Sequence, residues 1–242
     1  MLRLKFFSVL LPLLFVAVVS CKKDSNDKSS YQCATCTKAP EATAVNNAST
    51  KGIYKGVVIG SSGTIKFDIA NNGNTITAVM VIDGTTVNLT SNVTWTNGQA
   101  YVAPFTGTLN GQTVTINFSV GLSGSNPTIT SANIPGHPNA VVTVVKETST
   151  SLIECFEGTY KTSKSKTGTF NILLSRSLGL WGGVAREDGS RDVDDVSGTI
   201  DAAGTIKDDN GRTMGTLSGD NISGSFTDSN NTKITISGKR TL

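Results

Sequence analysis

The sequence predicts an all-β fold, built as an antiparallel meander in two related copies. Three observations support it: a Thr-rich and Gly-rich composition (25 Gly in 242 residues) with only 16% charged residues, repeated alternation of apolar and polar residues, and frequent Asn-Gly and Asp-Gly pairs. Thr suits the half-exposed surface of a sheet, and Gly suits turns and bulges. After residue 50 no convincing helical periodicity is found, so strands must carry the fold.

Residues 1–20 are predicted to be a secretory signal peptide. Arg3 and Lys5 form a basic start, and the apolar stretch that follows is shorter than the roughly 20 residues of a membrane-spanning helix. The segment ends in the lipobox-like sequence Val18-Val19-Ser20-Cys21. The Cys21 thiol would accept a diacylglyceryl group before cleavage, and we therefore predict lipidation at Cys21. A plain cleaved signal peptide or a short membrane anchor is the alternative.

Residues 21–50 are predicted to form the lipidated N-terminus and a flexible tether, because the stretch after Cys21 is polar. The start Ser20-Cys21-Lys22-Lys23-Asp24 resembles that of lipoproteins in Bacteroidota-type Gram-negative envelopes. The resemblance implies a cell-envelope location on the outer membrane, and in that group a charged start can direct a protein to the outer face. The partner that it implies is the membrane, through the N-terminal lipid.

Three cysteines remain once Cys21 is assigned to the lipid. Cys33 and Cys36 form a C-x-x-C, and Cys155 lies far along the chain. In an oxidising envelope a disulfide is expected. Either Cys33 or Cys36 bonds Cys155, or the two bond each other, and each pairing leaves one free thiol. No βαβ unit, no His after Cys36 and no second Cys pair is visible, which disfavours thioredoxin-like, haem-binding and zinc-binding functions.

The rest of the chain is predicted to form a first β-meander at 51–149 and a second at 150–242. Alternation is clearest over residues 114–122, 65–69, 170–174 and 222–226. Asn-Gly and Asp-Gly pairs suit two-residue hairpins, because both central residues can take positive φ. These pairs are Asn72-Gly73, Asp83-Gly84, Asn97-Gly98, Asn110-Gly111, Asp188-Gly189 and Asn210-Gly211.

An internal repeat supports the division into two copies. Gly52-Ile-Tyr54-Lys55 matches Gly158-Thr-Tyr160-Lys161, and residues 63–69 match residues 168–174. Each copy has room for a small barrel-like or curved-sheet unit, and one larger shared barrel is the alternative. This Gly-rich and Thr-rich pattern of strands and turns resembles the β-repeat modules of bacterial envelope lipoproteins and, loosely, small lipocalin-like barrels. The resemblance brings no catalytic residues with it.

Few residues stand out as candidates for a functional site. Trp181 precedes two glycines, and its ring could stack on a ligand such as a sugar or lie in the core over the glycines. Residues 188–195 place oxygens at alternate positions as calcium loops do, but the glycine is misplaced and the bidentate Glu is absent, which favours a charged hairpin tip. His137 lies in a Pro-Gly-His-Pro loop without evident partners. We therefore predict no catalytic, cofactor-binding or metal-binding residues.

The predicted function is a non-catalytic binding or scaffolding role at the cell envelope. The net charge of +3 falls close to neutral once Arg3 and Lys5 leave with the signal peptide, so nucleic acid is a poor partner. A glycan, a small apolar molecule or another envelope protein is the expected partner, and no cofactor is implied. An envelope hydrolase or isomerase with a site in a barrel lumen, or a purely structural surface protein, is the alternative.

Overall fold

The computed structural model describes residues 31–242, and the predicted signal peptide and Cys21 lie outside them. The first of two eight-stranded sheets is antiparallel, with β1 to β7 paired in chain order and β8 returning to β1. Within the described residues no hydrogen-bonded ladder joins β7 to β8, so this sheet is a nearly closed barrel. Its strands are β1 (Gly52–Ile59), β2 (Gly63–Ile69), β3 (Ile76–Ile82), β4 (Thr85–Thr90), β5 (Tyr101–Leu109), β6 (Gln112–Val120), β7 (Thr128–Asn133) and β8 (Val141–Lys146).

The second sheet repeats this order and closes completely. Neighbouring strands again pair antiparallel, and the last strand pairs with the first over seven residues. Its strands are β9 (Glu154–Thr162), β10 (Thr167–Ser175), β11 (Leu180–Glu187), β12 (Asp194–Ile200), β13 (Thr205–Asp208), β14 (Thr213–Ser218), β15 (Asn221–Thr227) and β16 (Lys233–Arg240). The predicted all-β meander in two units is thus confirmed, and the single shared barrel is not formed.

The interior of the first barrel is filled by aromatic rings. The ring of Phe118 lies 4.6 Å from that of Phe67, 5.1 Å from that of Tyr54, and 6.2 Å and 6.4 Å from those of Phe105 and Tyr101. All five side chains are buried. Inward residues at every second position of the strands supply this core, as the alternation in the sequence predicts.

The two barrels pack side by side through β1, whose eight residues are all buried. One face of β1 contributes Val58 to the core of the first barrel. The other face contributes Val57, which packs with Cys155 of β9 and Leu173 of β10. The Asn171 side-chain amide of β10 donates a hydrogen bond to the Val58 carbonyl. A strand with both faces covered in this way fixes one barrel against the other.

Two of the Asn-Gly and Asp-Gly pairs form the predicted two-residue hairpins. Asp83-Gly84 joins β3 to β4, with φ values of 45° and 75°, and Asn110-Gly111 joins β5 to β6, with 50° and 79°. Both central residues have positive φ, as type I′ turns require. The other pairs lie in longer loops, such as the one between β11 and β12 that contains Asp188-Gly189.

The tyrosines of the sequence repeat lie at different registers in the two barrels. In the first hairpin Tyr54 pairs with Phe67, four residues after Gly63. In the second hairpin the residue four positions after Gly168 pairs with Phe156, and Tyr160 pairs with Gly168 itself. The two tyrosines therefore occupy different levels of their barrels. Tyr54 is completely buried, and Tyr160 lies near the open end described below.

Residues 31–50, predicted as part of a flexible tether, are instead packed on the two barrels. The Tyr31 hydroxyl donates to the Arg240 carbonyl at 2.8 Å, and the Cys33 backbone N–H donates to the Asp220 carboxylate at 2.8 Å. The segment then continues along both units, where the Arg240 guanidinium donates to the Thr37 carbonyl and Thr43 contacts Asn71. Its polar composition reflects hydrogen bonding to the barrels.

A buried ion pair joins this segment, β1 and the linker between the barrels. The Lys55 Nζ lies 2.7 Å from a Glu147 carboxylate oxygen and 3.3 Å from a Glu41 carboxylate oxygen. The side chains of Lys55 and Glu147 are both 0% exposed. Glu147 also accepts hydrogen bonds from the backbone N–H groups of Glu41 and Ile153, at 2.6 and 3.0 Å. Both charges therefore have partners, as buried charges require.

Candidate functional site

The second barrel encloses an apolar cavity of about 310 Å³ in its lumen. Inward side chains from all eight strands line it, and nearly all of them are aliphatic or aromatic. The lining residues are Tyr160, Phe170, Ile172, Trp181, Ala185, Asp194, Val196, Ile206, Met214, Ile222, Phe226, Ile234 and Ile236. A concave apolar site with a few polar groups is the usual form of a small-molecule site.

The lumen has room because glycines occupy many of its inward positions. These glycines are Gly158, Gly168, Gly183, Gly198, Gly215, Gly224 and Gly238. In the first barrel Gly52, Gly56, Gly63 and Gly107 face inward among the strand residues, and larger side chains fill most of the other inward positions. Phe170 shows the effect: its ring lies over Gly158 of β9 and Gly238 of β16, where a Cβ would collide with the ring.

Trp181 is held as a fixed part of the lumen wall. Its side chain is 7% exposed, and its indole Nε1 donates a hydrogen bond to the Lys207 carbonyl at 2.9 Å. The register of β13 with β14 shifts between Ile206 and Lys207. The same Lys207 carbonyl lies against Gly198, where no side chain would fit. The ring hypothesised to stack on a ligand therefore lines the lumen and not the outer surface, and Gly198 and the bulge set its position.

The open end of the lumen carries its polar groups. Tyr160, Asp194 and Phe226 line this end and are less buried than the residues below them. Burial raises the pKa of Tyr160 above its usual range, and the nearby carboxylates of Glu187, Asp194 and Asp188 add to the effect. The Tyr160 hydroxyl consequently stays protonated and can donate a hydrogen bond to a ligand at the mouth.

The other end of the barrel is closed. Phe156, Leu174, Leu217 and Ile222 are buried together there. The segment that begins at Tyr31 lies across this end, beside Arg240. The chain therefore enters the described fold at the end of the barrel opposite the mouth, which leaves the mouth uncovered by this segment.

The cysteines adopt one of the pairings that the sequence left open. Cys33 and Cys36 form a disulfide within the segment at the closed end of the second barrel. Cys155 has a free thiol, which is fully buried between the barrels. Burial raises the pKa of Cys155 to about 12, against the opposing influence of Lys55 and Arg240, so the thiol is protonated and poorly nucleophilic. Cys155, the unpaired cysteine, therefore acts as a small buried side chain of the core between the barrels.

The remaining sequence candidates lie in loops. The acidic stretch 188–195 forms the loop from β11 to β12 and the start of β12, and Asp188 accepts a hydrogen bond from the Thr167 hydroxyl. In residues 31–242 no group of three or more His, Cys, Asp or Glu side chains is arranged to hold a metal ion. The His137 imidazole is paired with Asp83, at 3.5 Å between Nε2 and Oδ2.

Comparison with known proteins gives no relative for this arrangement: no family model, curated protein or solved structure matches the chain. Among the described residues no helix is both long and apolar enough to cross a membrane. The site must therefore be interpreted from its own geometry.

Proposed function

We propose that this protein is a lipid-anchored cell-envelope protein that binds a small apolar molecule in the lumen of its second barrel. The observation that carries the proposal is the contrast between the two barrels. The first is filled by its own side chains, and the second keeps an apolar cavity with a protonated Tyr160 hydroxyl at the mouth. An empty apolar lumen costs packing contacts, and a ligand of matching shape would restore them.

The lining favours binding over the alternatives. A hydrolase or isomerase site in the lumen needs several polar or acidic side chains that converge on one point. Only Tyr160 and Asp194 among the lining residues can donate or accept a proton by an ordinary side-chain group, and both lie at the mouth. A purely structural protein gives no reason for an unfilled lumen. A glycan would need more hydrogen-bonding groups than this lumen offers.

The lumen is tested with N-phenyl-1-naphthylamine, a neutral apolar fluorophore. The full-length protein in detergent is expected to bind it with an increase in fluorescence above that of the same detergent without protein. Ala185→Trp should raise the Kd at least about tenfold, because the larger side chain occupies the cavity, a change of about 1.4 kcal/mol in binding free energy. The matched control is Thr235→Trp, on the outer face of β16. Equal affinity in the two variants, or no binding by the wild type, would contradict the proposal.

The anchor is tested separately, by growing cells with a labelled fatty acid. The wild-type protein should incorporate the label, and Cys21→Ala should incorporate none, since the thiol that accepts the lipid is absent. Cys155→Ala is the matched control, because it removes a cysteine that is buried between the barrels, and it should be labelled as the wild type is. Label retained in Cys21→Ala would rule out lipidation at that residue.

A further inference from the structure

A second cavity, of about 480 Å³, lies between the barrels outside the lumen and has a mixed polar and apolar lining. Three loops meet there: the turn from β1 to β2, the loop before β8, and the loop from β11 to β12. We name it the Arg186 cleft. Its lining residues include several glycines, Ser61, Ser62, Ser190, His137 and Arg186, together with the acidic residues Glu187 and Asp188.

Arg186 is a buried charge without an ionic partner. The residue is 8% exposed, and within residues 31–242 no carboxylate oxygen lies within 4.0 Å of its guanidinium. Its one hydrogen bond in this part of the chain runs from an Nη to the Asn139 carbonyl, at 2.7 Å. The buried Nε makes none. A guanidinium has five N–H donors, so most of its hydrogen-bonding capacity is unused.

The neighbouring carboxylates do not fill this gap, because other donors hold them. Asp83 contacts His137 and accepts a hydrogen bond from Ser61. Glu187 is paired with Lys166 at 2.8 Å, and Asp188 accepts a hydrogen bond from the Thr167 hydroxyl. An uncompensated buried charge is destabilising, which makes an unpaired Arg unusual for a purely structural residue.

The local backbone gives the guanidinium access to the cleft. Gly60 has φ +88° and lies directly against the Arg186 guanidinium, where a Cβ would collide with an Nη. A glycine with positive φ at this point lets the β1–β2 turn pass close to the planar group. Arg186 lines the cleft together with Ser61, Ser62 and Ser190.

We propose that the Arg186 cleft binds a small saccharide that bears a carboxylate, with Arg186 as the anchor of the carboxylate. The planar guanidinium matches a carboxylate in a two-bond geometry, and the anion supplies the missing counter-charge. The hydroxyls of Ser61 and Ser62 already donate to Asp83 and Glu157, so they offer acceptors to sugar hydroxyls. The Ser190 hydroxyl accepts from the Asp192 backbone N–H and keeps its own hydrogen as a donor. This site is separate from the lumen and does not depend on an apolar ligand there.

The proposal is tested by calorimetric titration of the full-length protein in detergent with glucuronate, glucose and acetate at constant ionic strength. Glucuronate should bind, and glucose and acetate should each bind at least about tenfold more weakly, since each lacks one half of the recognised group. Glucose equal to glucuronate would overturn the role of the carboxylate. Acetate equal to glucuronate would overturn the saccharide, and no binding of glucuronate would overturn the site.

A pair of charge-conserving variants locates the anchor. Arg186→Lys keeps the positive charge but loses the planar fork, and should weaken glucuronate binding at least about tenfold. Arg191→Lys makes the same change at an exposed residue of the same loop, outside the cleft lining, and should bind as the wild type does. The urea midpoint of each variant reports folding independently. Wild-type affinity in a folded Arg186→Lys protein would overturn the assignment.

Discussion

Replacing Lys55 with Met is expected to lower the free energy of unfolding by about 3–5 kcal/mol. Lys55 is completely buried, and its ammonium lies between the carboxylates of Glu147 and Glu41. Met fills a similar volume but leaves the Glu147 side chain buried without its cation, which is the costly way to break a buried pair. Urea unfolding followed by circular dichroism measures the change.

Two further variants separate the buried charge from general damage. Lys66→Met removes the other lysine that pairs with Glu41, at a side chain that is 30% exposed, and should cost no more than about 1 kcal/mol. Adding Glu147→Gln to Lys55→Met should recover part of the loss, since Gln keeps an acceptor for the backbone N–H groups and removes the stranded charge. If Lys55→Met were no more destabilising than Lys66→Met, the ion pair would not be what fastens β1 to the linker.

The strands could be predicted because their signal is local. Over residues 114–120 every second side chain is apolar, and these side chains are the inward ones of β6. Asp83-Gly84 and Asn110-Gly111 supply the two positive φ values of a tight hairpin, so both turns and the registers beside them follow from adjacent residues. Consecutive hairpins of this kind lead to a meander with neighbour-to-neighbour pairing.

The packed N-terminal segment could not be predicted, because its partners are distant in sequence. The Cys33 backbone N–H donates a hydrogen bond to the Asp220 carboxylate. The Glu41 carboxylate pairs with Lys55, and the Glu41 backbone N–H donates to Glu147. A polar, Pro-containing and Ser-containing stretch has the same composition whether it is solvated or hydrogen-bonded to a distant barrel. The burial of Lys55 is equally invisible, since alternation along β1 predicts one solvent-facing side and the second barrel covers that side.

The lumen could not be predicted from the sequence either, although the glycines that create it are visible there. Inward glycines are recognisable only once the register is known, because the same glycines could serve turns, bulges or outward positions. Gly198 illustrates this: it makes space for the Lys207 carbonyl, which in turn fixes the Trp181 indole. Trp181, which precedes two glycines, was a candidate for the site from the sequence alone. Whether its ring faces the lumen or the outer surface depends on these contacts.

The same meander thus serves two purposes in one chain. In the first barrel the inward positions carry large side chains, and the interior is a core. In the second barrel many of them are glycines, and the interior is a cavity. The filled barrel supports the open one through β1 and the buried ion pair, and the proposed binding role is divided between the lumen and the Arg186 cleft.

This division predicts unequal costs for removing an aromatic ring from the two barrels. Phe118→Ala is expected to lower the free energy of unfolding by about 3–5 kcal/mol, because it leaves a void at the centre of five packed rings. Phe226→Ala should cost only about 1 kcal/mol, since this ring is partly exposed at the mouth of an existing cavity. Urea unfolding at equilibrium compares the two variants with the wild type.

Ligand binding should respond in the opposite sense. Phe226→Ala removes part of the lumen wall and should change the Kd for N-phenyl-1-naphthylamine, whereas Phe118→Ala, in conditions where it is folded, should leave the Kd at the wild-type value because its void lies in the other barrel. A large stability loss in Phe226→Ala with a small one in Phe118→Ala would mean that the second barrel is the packed support. The first barrel would then be the better place to look for a ligand.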